Sequence, residues 1–142
     1  MIAANADKIT LAITTGAAWE IWMQVELISI FKQNNIQAAR ELPYGAPSKN
    51  FLDAMAKDAQ GVYAIELKVE SANNSGSALL SAVQTDITKI ATFPAAGVNA
   101  RWVLSIAYSG EARKALQTFA AVAANNAIYT ETSGLGIFVA TV

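Results

Sequence analysis

The segment from residue 61 to residue 71, GVYAIELKVES, has the apolar residues of a buried β-strand but also contains opposite charges. Glu66 and Lys68 lie two positions apart, so their side chains point to the same face of the predicted strand. An unpaired charge in a buried face is strongly unfavourable, because the charged group loses its hydration. A chain that buries this strand must therefore bring partners to Glu66 and Lys68 from other elements.

The chain contains neither cysteine nor histidine among its 142 residues. These absences exclude cysteine nucleophiles, thiolate metal sites, imidazole zinc sites and the serine triad. Any catalysis has to use carboxylates, lysine, tyrosine, amides or a metal bound by oxygen atoms. The length is typical of one domain, and we expect residues 1–142 to form a single domain.

The hydrophobic content is high, at 54%, with a mean hydropathy of +0.31. Charges and amides interrupt every apolar stretch well short of the roughly 20 residues of a membrane span, and the first residues lack the pattern of a signal peptide. We therefore expect a cytoplasmic protein with no membrane partner. Its surplus apolar residues are expected to form a core and the interface of a homodimer or larger homo-oligomer. The net charge of −1 and the pI near 5.3 provide no global basic field for nucleic acid.

Apolar periodicity and turn residues predict an α/β protein in the order α-β-β-β-α-β-α-β, with a central mixed sheet of about four to five strands flanked by helices. A strand is predicted after residue 36, and the segments 49–56 and 62–70 are expected to form a hairpin. The other predicted elements are helices over residues 17–34, 78–93 and 110–125, a strand over 101–109, and one or two strands over 127–142.

The predicted hairpin brings a second carboxylate, that of Asp53, beside Glu66. Two adjacent carboxylates repel each other unless a proton or a cation lies between them. Oxygen ligands on rigid strands suit Mg²⁺, which also keeps waters and binds phosphate oxygens. Lys68 is then expected to face a reacting phosphate, where it orients or deprotonates the attacking water and stabilises developing charge.

These residues resemble the motif of the PD-(D/E)xK, or restriction-endonuclease-like, nuclease superfamily. The matching residues are Asp53 in FLDAM and Glu66-Leu67-Lys68 in AIELKVE, set in a similar element order over roughly residues 17–110. The resemblance implies a restriction-endonuclease-like core and a Mg²⁺- or Mn²⁺-dependent nuclease that acts on nucleic acid, with DNA as the expected substrate. It also implies that Asp53, Glu66 and the Leu67 carbonyl bind metal, and that Lys68 is the catalytic lysine.

The resemblance extends to two helices. The first helix of the family often donates a carboxylate to the metal, and Glu20 is the candidate here because Gln24 lies one turn away on the same face, whereas Glu26 points elsewhere. The helix after the motif strand often carries a polar residue near the scissile phosphate, and Gln84 is the candidate. The chain departs from the family in having Leu52 before Asp53 where the motif has proline, and in its acidic pI.

A second hypothesis assigns these residues a structural role. Under it the protein is a noncatalytic interaction or immunity-type protein on the same fold, and the Asp, Glu and Lys side chains form an ion network. Separately from this hypothesis, Asp86 and Lys89 are interpreted as an exposed helix pair of the i, i+3 type. The acidic pI and the apolar excess favour this alternative, while the complete Asp53, Glu66 and Lys68 set favours the nuclease.

Overall fold

The computed structural model of the protein describes residues 5–15, 19–94 and 96–142. Two helices are followed by three strands, then by a helix, a strand, a helix and a final hairpin of two strands. The helices are α1 (Ala6–Thr14), α2 (Trp19–Gln33), α3 (Ser77–Ala91) and α4 (Gly110–Ala120). The strands are β1 (Gln37–Pro43), β2 (Phe51–Lys57), β3 (Val62–Val69), β4 (Ala100–Ala107), β5 (Ala127–Thr132) and β6 (Leu135–Thr141).

The strands form one open, mixed sheet in the order β1-β2-β3-β4-β6-β5. The central strands β3 and β4 are parallel, and α3 makes the crossover between them, as a parallel connection requires. All other neighbouring strands are antiparallel. The predicted α/β class and the β2/β3 hairpin are thus confirmed.

Two details of the predicted element order are wrong. The sheet has six strands, because the final segment folds back on itself at Ser133 and Gly134, whose positive φ values of 49° and 78° suit a tight hairpin turn. An additional helix, α1, precedes the predicted first helix. α1 is short and buries little beyond Ala6 and Ile9, so packing against α2 stabilises it more than its own propensity does.

Other predicted boundaries are close to the observed ones. The helix predicted over residues 17–34 is α2, although residues 17 and 18 lie outside the described ranges. The helix predicted over 110–125 ends at Ala120 and is followed by a short 3-10 helix, Ala123–Asn125. No helix in the described part of the chain is both long and apolar enough to cross a membrane.

Each face of the sheet carries its own apolar core. On one face, Trp19, Met23 and Leu27 of α2 pack with Leu67 of β3 and the neighbouring strands. The opposite face packs against α3 and α4. Because side chains alternate along a strand, the residue before Leu67, Glu66, points into the α3 side of the sheet and is only 1% exposed.

A second buried carboxylate, Glu70, joins the end of β3 to its surroundings. Its oxygens accept main-chain N–H groups of Gly76 at 3.1 Å, Tyr108 at 2.8 Å and Ser109 at 2.8 Å. Burial raises the pKa of Glu70, but these hydrogen bonds outweigh burial and bring the pKa below its ordinary value. Glu70 therefore holds together the turns that lead into α3 and α4.

We expect Glu70→Gln to lower the free energy of unfolding by about 2–4 kcal/mol at neutral pH, because the amide nitrogen cannot accept the N–H groups that the carboxylate accepts. The pKa of Glu70 is lower in the folded protein than in the unfolded chain. The loss in free energy of unfolding should therefore be complete above about pH 5 and become smaller as the pH falls below about 4.3. Urea unfolding at several pH values measures it. As a control, the exposed Glu131→Gln should change stability by less than about 1 kcal/mol at every pH.

Candidate active site

The candidate site lies where β2 and β3 separate. The two strands pair from Lys57 with Val62 up to Ala54 with Ile65, and beyond that point β2 pairs only with β1. The next main-chain N–H groups of β3 then need other acceptors. Carboxylates supply them.

Asp53, the β2 residue just beyond the last pair, accepts the Leu67 N–H at 2.8 Å through Oδ2. Two residues further along β3, Oε2 of Glu20 accepts the Val69 N–H at 3.3 Å. Both carboxylates thus take the place of a neighbouring strand, and they flank the Glu66-Leu67-Lys68 segment. This arrangement anchors α2 and β2 to the same stretch of β3.

α2 contributes an amide as well as a carboxylate. Gln24 is buried, and its Nε2 donates to Asp53 Oδ1 at 2.8 Å while its Oε1 accepts from Arg40 Nη2 at 2.9 Å. Both oxygens of Asp53 are therefore engaged. Glu26 instead lies 3.3 Å from Lys8 of α1, away from this cluster, so among the three polar candidates on α2 it is Glu20 and Gln24 that reach the site.

Lys68 lies between two carboxylates from different helices. Its Nζ is 3.3 Å from Oε1 of Glu20 and 3.5 Å from Oδ2 of Asp86. Burial lowers the pKa of Lys68, but the charges of Asp86 and Glu20 outweigh burial, so the pKa is higher than that of a free lysine. The ammonium group is consequently protonated at neutral pH.

Asp86 is buried on α3, with 8% of its surface exposed, and its Oδ2 accepts no hydrogen bond from the described residues. Burial raises the pKa of Asp86, although Lys68 and Lys89 act in the opposite direction. A buried carboxylate oxygen that accepts no hydrogen bond is unusual in a folded protein. Lys68 Nζ, 3.5 Å from this oxygen, forms an ion pair with it without a hydrogen bond.

Glu66 faces a different pair of partners from those of Lys68. Its Oε1 accepts the Tyr44 hydroxyl at 2.6 Å, and its Oε2 accepts Lys89 Nζ at 2.8 Å. Burial raises the pKa of Glu66 to about 7, although the hydrogen bonds from Lys89 and Tyr44 act to lower the pKa. Burial and the contact with Glu66 raise the pKa of Tyr44 well above that of a free tyrosine, so its hydroxyl remains a donor.

The described structure brings Glu20, Asp53, Glu66 and Lys68 into one cluster. Gln84 is exposed on α3, and its main-chain carbonyl accepts the Thr88 hydroxyl at 3.1 Å.

The interpretation of the Asp86 and Lys89 pair as exposed is wrong, because Asp86 is buried beside Lys68 and Lys89 bonds to Glu66. Asp86 falls on the apolar stripe of α3 formed by Leu79, Val83 and Ile90, and this helical spacing is the signal in the sequence that identifies Asp86. Tyr44, in the loop after β1, has no comparable signal.

Acidic side chains outnumber lysines in this cluster. The carboxylates of Glu20, Asp53, Glu66 and Asp86 outnumber the ammonium groups of the lysines. All of the acceptors are oxygen atoms, the donor type that Mg²⁺ prefers. In residues 5–15, 19–94 and 96–142, however, no group of three or more acidic, histidine or cysteine side chains is arranged to hold a metal ion.

A cavity of about 380 Å³ opens beside Asp53. Polar groups of Gln24, Arg40 and Glu41 line it together with the side chains of Ile21 and Phe51. Glu41 has a φ of +57°, a left-handed conformation that is uncommon for a residue other than glycine and is often found at functional sites. The cavity gives a ligand access to the β2 side of the cluster.

The fold and the site define an α/β protein with a buried cluster of charges at the point where two strands of a mixed sheet separate. Comparisons with protein-family models, with curated proteins and with solved structures yield no match for this chain. A function for this cluster therefore has to be argued from its geometry and from the sequence motif.

A double-mutant cycle on Glu66→Gln and Lys89→Met should give a coupling energy of about 1–3 kcal/mol near pH 8, because each single change leaves a buried group without its partner. Urea unfolding of the four proteins measures this energy. The same cycle on the exposed pair Arg113→Met and Glu131→Gln is the control, with coupling below about 1 kcal/mol expected. Equal coupling in the two cycles would contradict a buried ion pair at Glu66.

Proposed function

We propose that this protein is a Mg²⁺- or Mn²⁺-dependent nuclease of the PD-(D/E)xK class with a restriction-endonuclease-like core. The observation that carries the proposal is the position of Asp53, which bonds to the Leu67 N–H within the Glu66-Leu67-Lys68 motif at the separation of β2 and β3. The order α2, β1, β2, β3, α3, β4 supports the same core.

The proposed metal ligands are the carboxylates of Asp53, Glu66 and Glu20 and the main-chain carbonyl of Leu67. The excess of carboxylates over lysines in the cluster supports a cation there. A bound Mg²⁺ would polarise the phosphate and lower the pKa of a water. Gln24 and Lys89 hold the carboxylates of Asp53 and Glu66 in place without the ion.

Lys68 acts in this proposal as a fixed positive charge. Glu20 and Asp86 keep its ammonium protonated and restrict its position, so little reorganisation is needed when negative charge builds up on phosphate oxygens. Lys68 therefore stabilises the transition state and keeps its proton, while the attacking water is oriented by the carboxylates.

The proposed substrate is nucleic acid, with DNA as the first polymer to test. The chain has a net charge of −1 and a pI near 5.3, so phosphate contacts alone supply little affinity. A homodimer or larger homo-oligomer that combines two sites would increase the contact area with the substrate.

One observation favours the alternative noncatalytic function. Both oxygens of Asp53 and both oxygens of Glu66 already accept hydrogen bonds from protein donors. A structural network needs no further ligand, and it would stabilise the fold of an interaction or immunity-type protein. If the protein is a nuclease, a single substitution in the cluster removes cleavage activity. If the cluster is structural, the same substitution removes only stability.

In a cleavage assay with Mg²⁺ or Mn²⁺ and labelled DNA, Asp53→Asn and Lys68→Met should each reduce the rate at least about 100-fold, because metal binding and transition-state stabilisation are lost. Glu26→Gln is the matched control, since it removes a carboxylate of the same helix as Glu20 outside the cluster and should leave the rate within about twofold. A parent protein that cleaves neither DNA nor RNA, with variants that only lose stability, would favour the ion network.

Calorimetric titration with Mg²⁺ or Mn²⁺ tests the metal site without substrate. Binding by the parent protein should disappear in Asp53→Asn, because a carboxylate ligand is replaced by a neutral amide. Glu26→Gln should bind like the parent. Binding that survives unchanged in Asp53→Asn would place the ion elsewhere and contradict the proposed ligands.

A further inference from the structure

The cavity beside Asp53 differs chemically from the charged cluster next to it. Its walls include the side chains of Ile21 and Phe51, which are 55% and 56% exposed. Every other aromatic side chain in the described part of the chain is buried or half-buried. An exposed ring that lines a cavity next to a candidate catalytic carboxylate is a surface on which a flat ligand can stack.

The position of Phe51 is tied to the candidate metal site. Lys89 Nζ donates to the Phe51 carbonyl at 3.1 Å and to Glu66 at 2.8 Å. Phe51 is also held by pairing with Pro43 of β1. The backbone that carries the ring is therefore fixed relative to Glu66, while the ring itself remains open to the cavity.

The polar lining of the cavity matches the other parts of a nucleotide. Arg40 brings a positive charge whose Nη2 is 2.8 Å from Glu41 Oε1 and bonds to Gln24, while its Nε is buried and has no hydrogen-bond partner among the described residues. The exposed carboxylate of Glu41 can accept from the edge of a base, whereas the Gln24 amide is already bonded to Asp53 and Arg40. At about 380 Å³ the cavity is at the lower end of the sizes that hold small ligands.

We propose that this cavity binds the base of an unpaired nucleotide, with the base stacked on Phe51 against Ile21 and with Arg40 at the backbone. The inference deepens the proposed function and rests on it for the cleavage step: it makes single-stranded nucleic acid the preferred substrate. A paired base is stacked in its duplex and cannot enter the cavity. Stacking also supplies affinity that this acidic chain does not obtain from phosphate contacts.

Fluorescence anisotropy in Ca²⁺ without Mg²⁺ tests the base site separately from cleavage. The probes are a labelled oligothymidylate of about 12 nucleotides, an abasic strand of equal length and charge, and a duplex of about 12 base pairs. The length of the two single strands is within the usual site size for proteins that bind single-stranded nucleic acid. The parent protein should bind oligothymidylate about tenfold or more tighter than either other probe.

The variants separate stacking from general apolar contact. Phe51→Leu should lose about tenfold in affinity for oligothymidylate and none for the abasic strand, whereas Phe51→Trp should retain binding because it preserves an aromatic face. Ile21→Ala should weaken binding of oligothymidylate, and Ile128→Ala, a matched change at a 72% exposed residue on β5, should not. Urea unfolding verifies that each variant is folded.

The outcomes distinguish this inference from the proposed function. Equal binding of oligothymidylate and the abasic strand, or no effect of Phe51→Leu, overturns the base site even if the protein cleaves nucleic acid. Binding that depends on Phe51 in a protein that cleaves no probe with Mg²⁺ or Mn²⁺ supports the base site and overturns the nuclease. A parent protein that binds none of the probes overturns the base site, and the cleavage assay then decides the nuclease independently.

Discussion

The separation of β2 from β3 at Asp53 is the constraint on which the candidate site depends. If β2 continued to pair with β3, the Leu67 and Val69 N–H groups would bond to a strand, and no carboxylates would be needed beside the motif. Because the strands part, Asp53 and Glu20 accept these N–H groups instead. The same separation of the strands lets α2 lie close to β3, and the cavity lies between α2 and the start of β2.

The charged residues are buried in a way that couples them to one another. Glu66 lies under α3 with Tyr44 and Lys89, and Lys68 lies between Glu20 and Asp86. In low-polarity surroundings each charge depends strongly on its neighbours, so removing one partner alters the protonation of the others. Such a network serves a metal-dependent nuclease because it positions ligands in advance, and it serves a structural role because it satisfies nearly every buried polar atom. Asp86 Oδ2 and Arg40 Nε are buried atoms of the site that have no hydrogen-bond partner among the described residues.

Local patterns in the sequence predicted most of the elements near the site. The β2/β3 hairpin, α2 and α3 follow from apolar periodicity and turn residues, and their observed bounds lie within a few residues of the predicted ones. The sequence does not predict α1, because its helical pattern is short and its stability comes from packing on α2. The sequence does not decide between one and two final strands, since the same residues can extend or turn, and only pairing with β4 selects the β5/β6 hairpin.

The sequence by itself determined the types of chemistry open to this protein. The absence of cysteine and histidine restricts catalysis to oxygen and lysine chemistry, and the two-residue spacing of Glu66 and Lys68 on a strand places both on one face. Only the tertiary structure decided their partners. Lys89 rather than Lys68 bonds to Glu66, and Asp86 rather than Gln84 reaches the cluster. Those pairings depend on where β2 separates from β3 and on how α3 is rotated against the sheet, and packing between residues distant in the chain determines both.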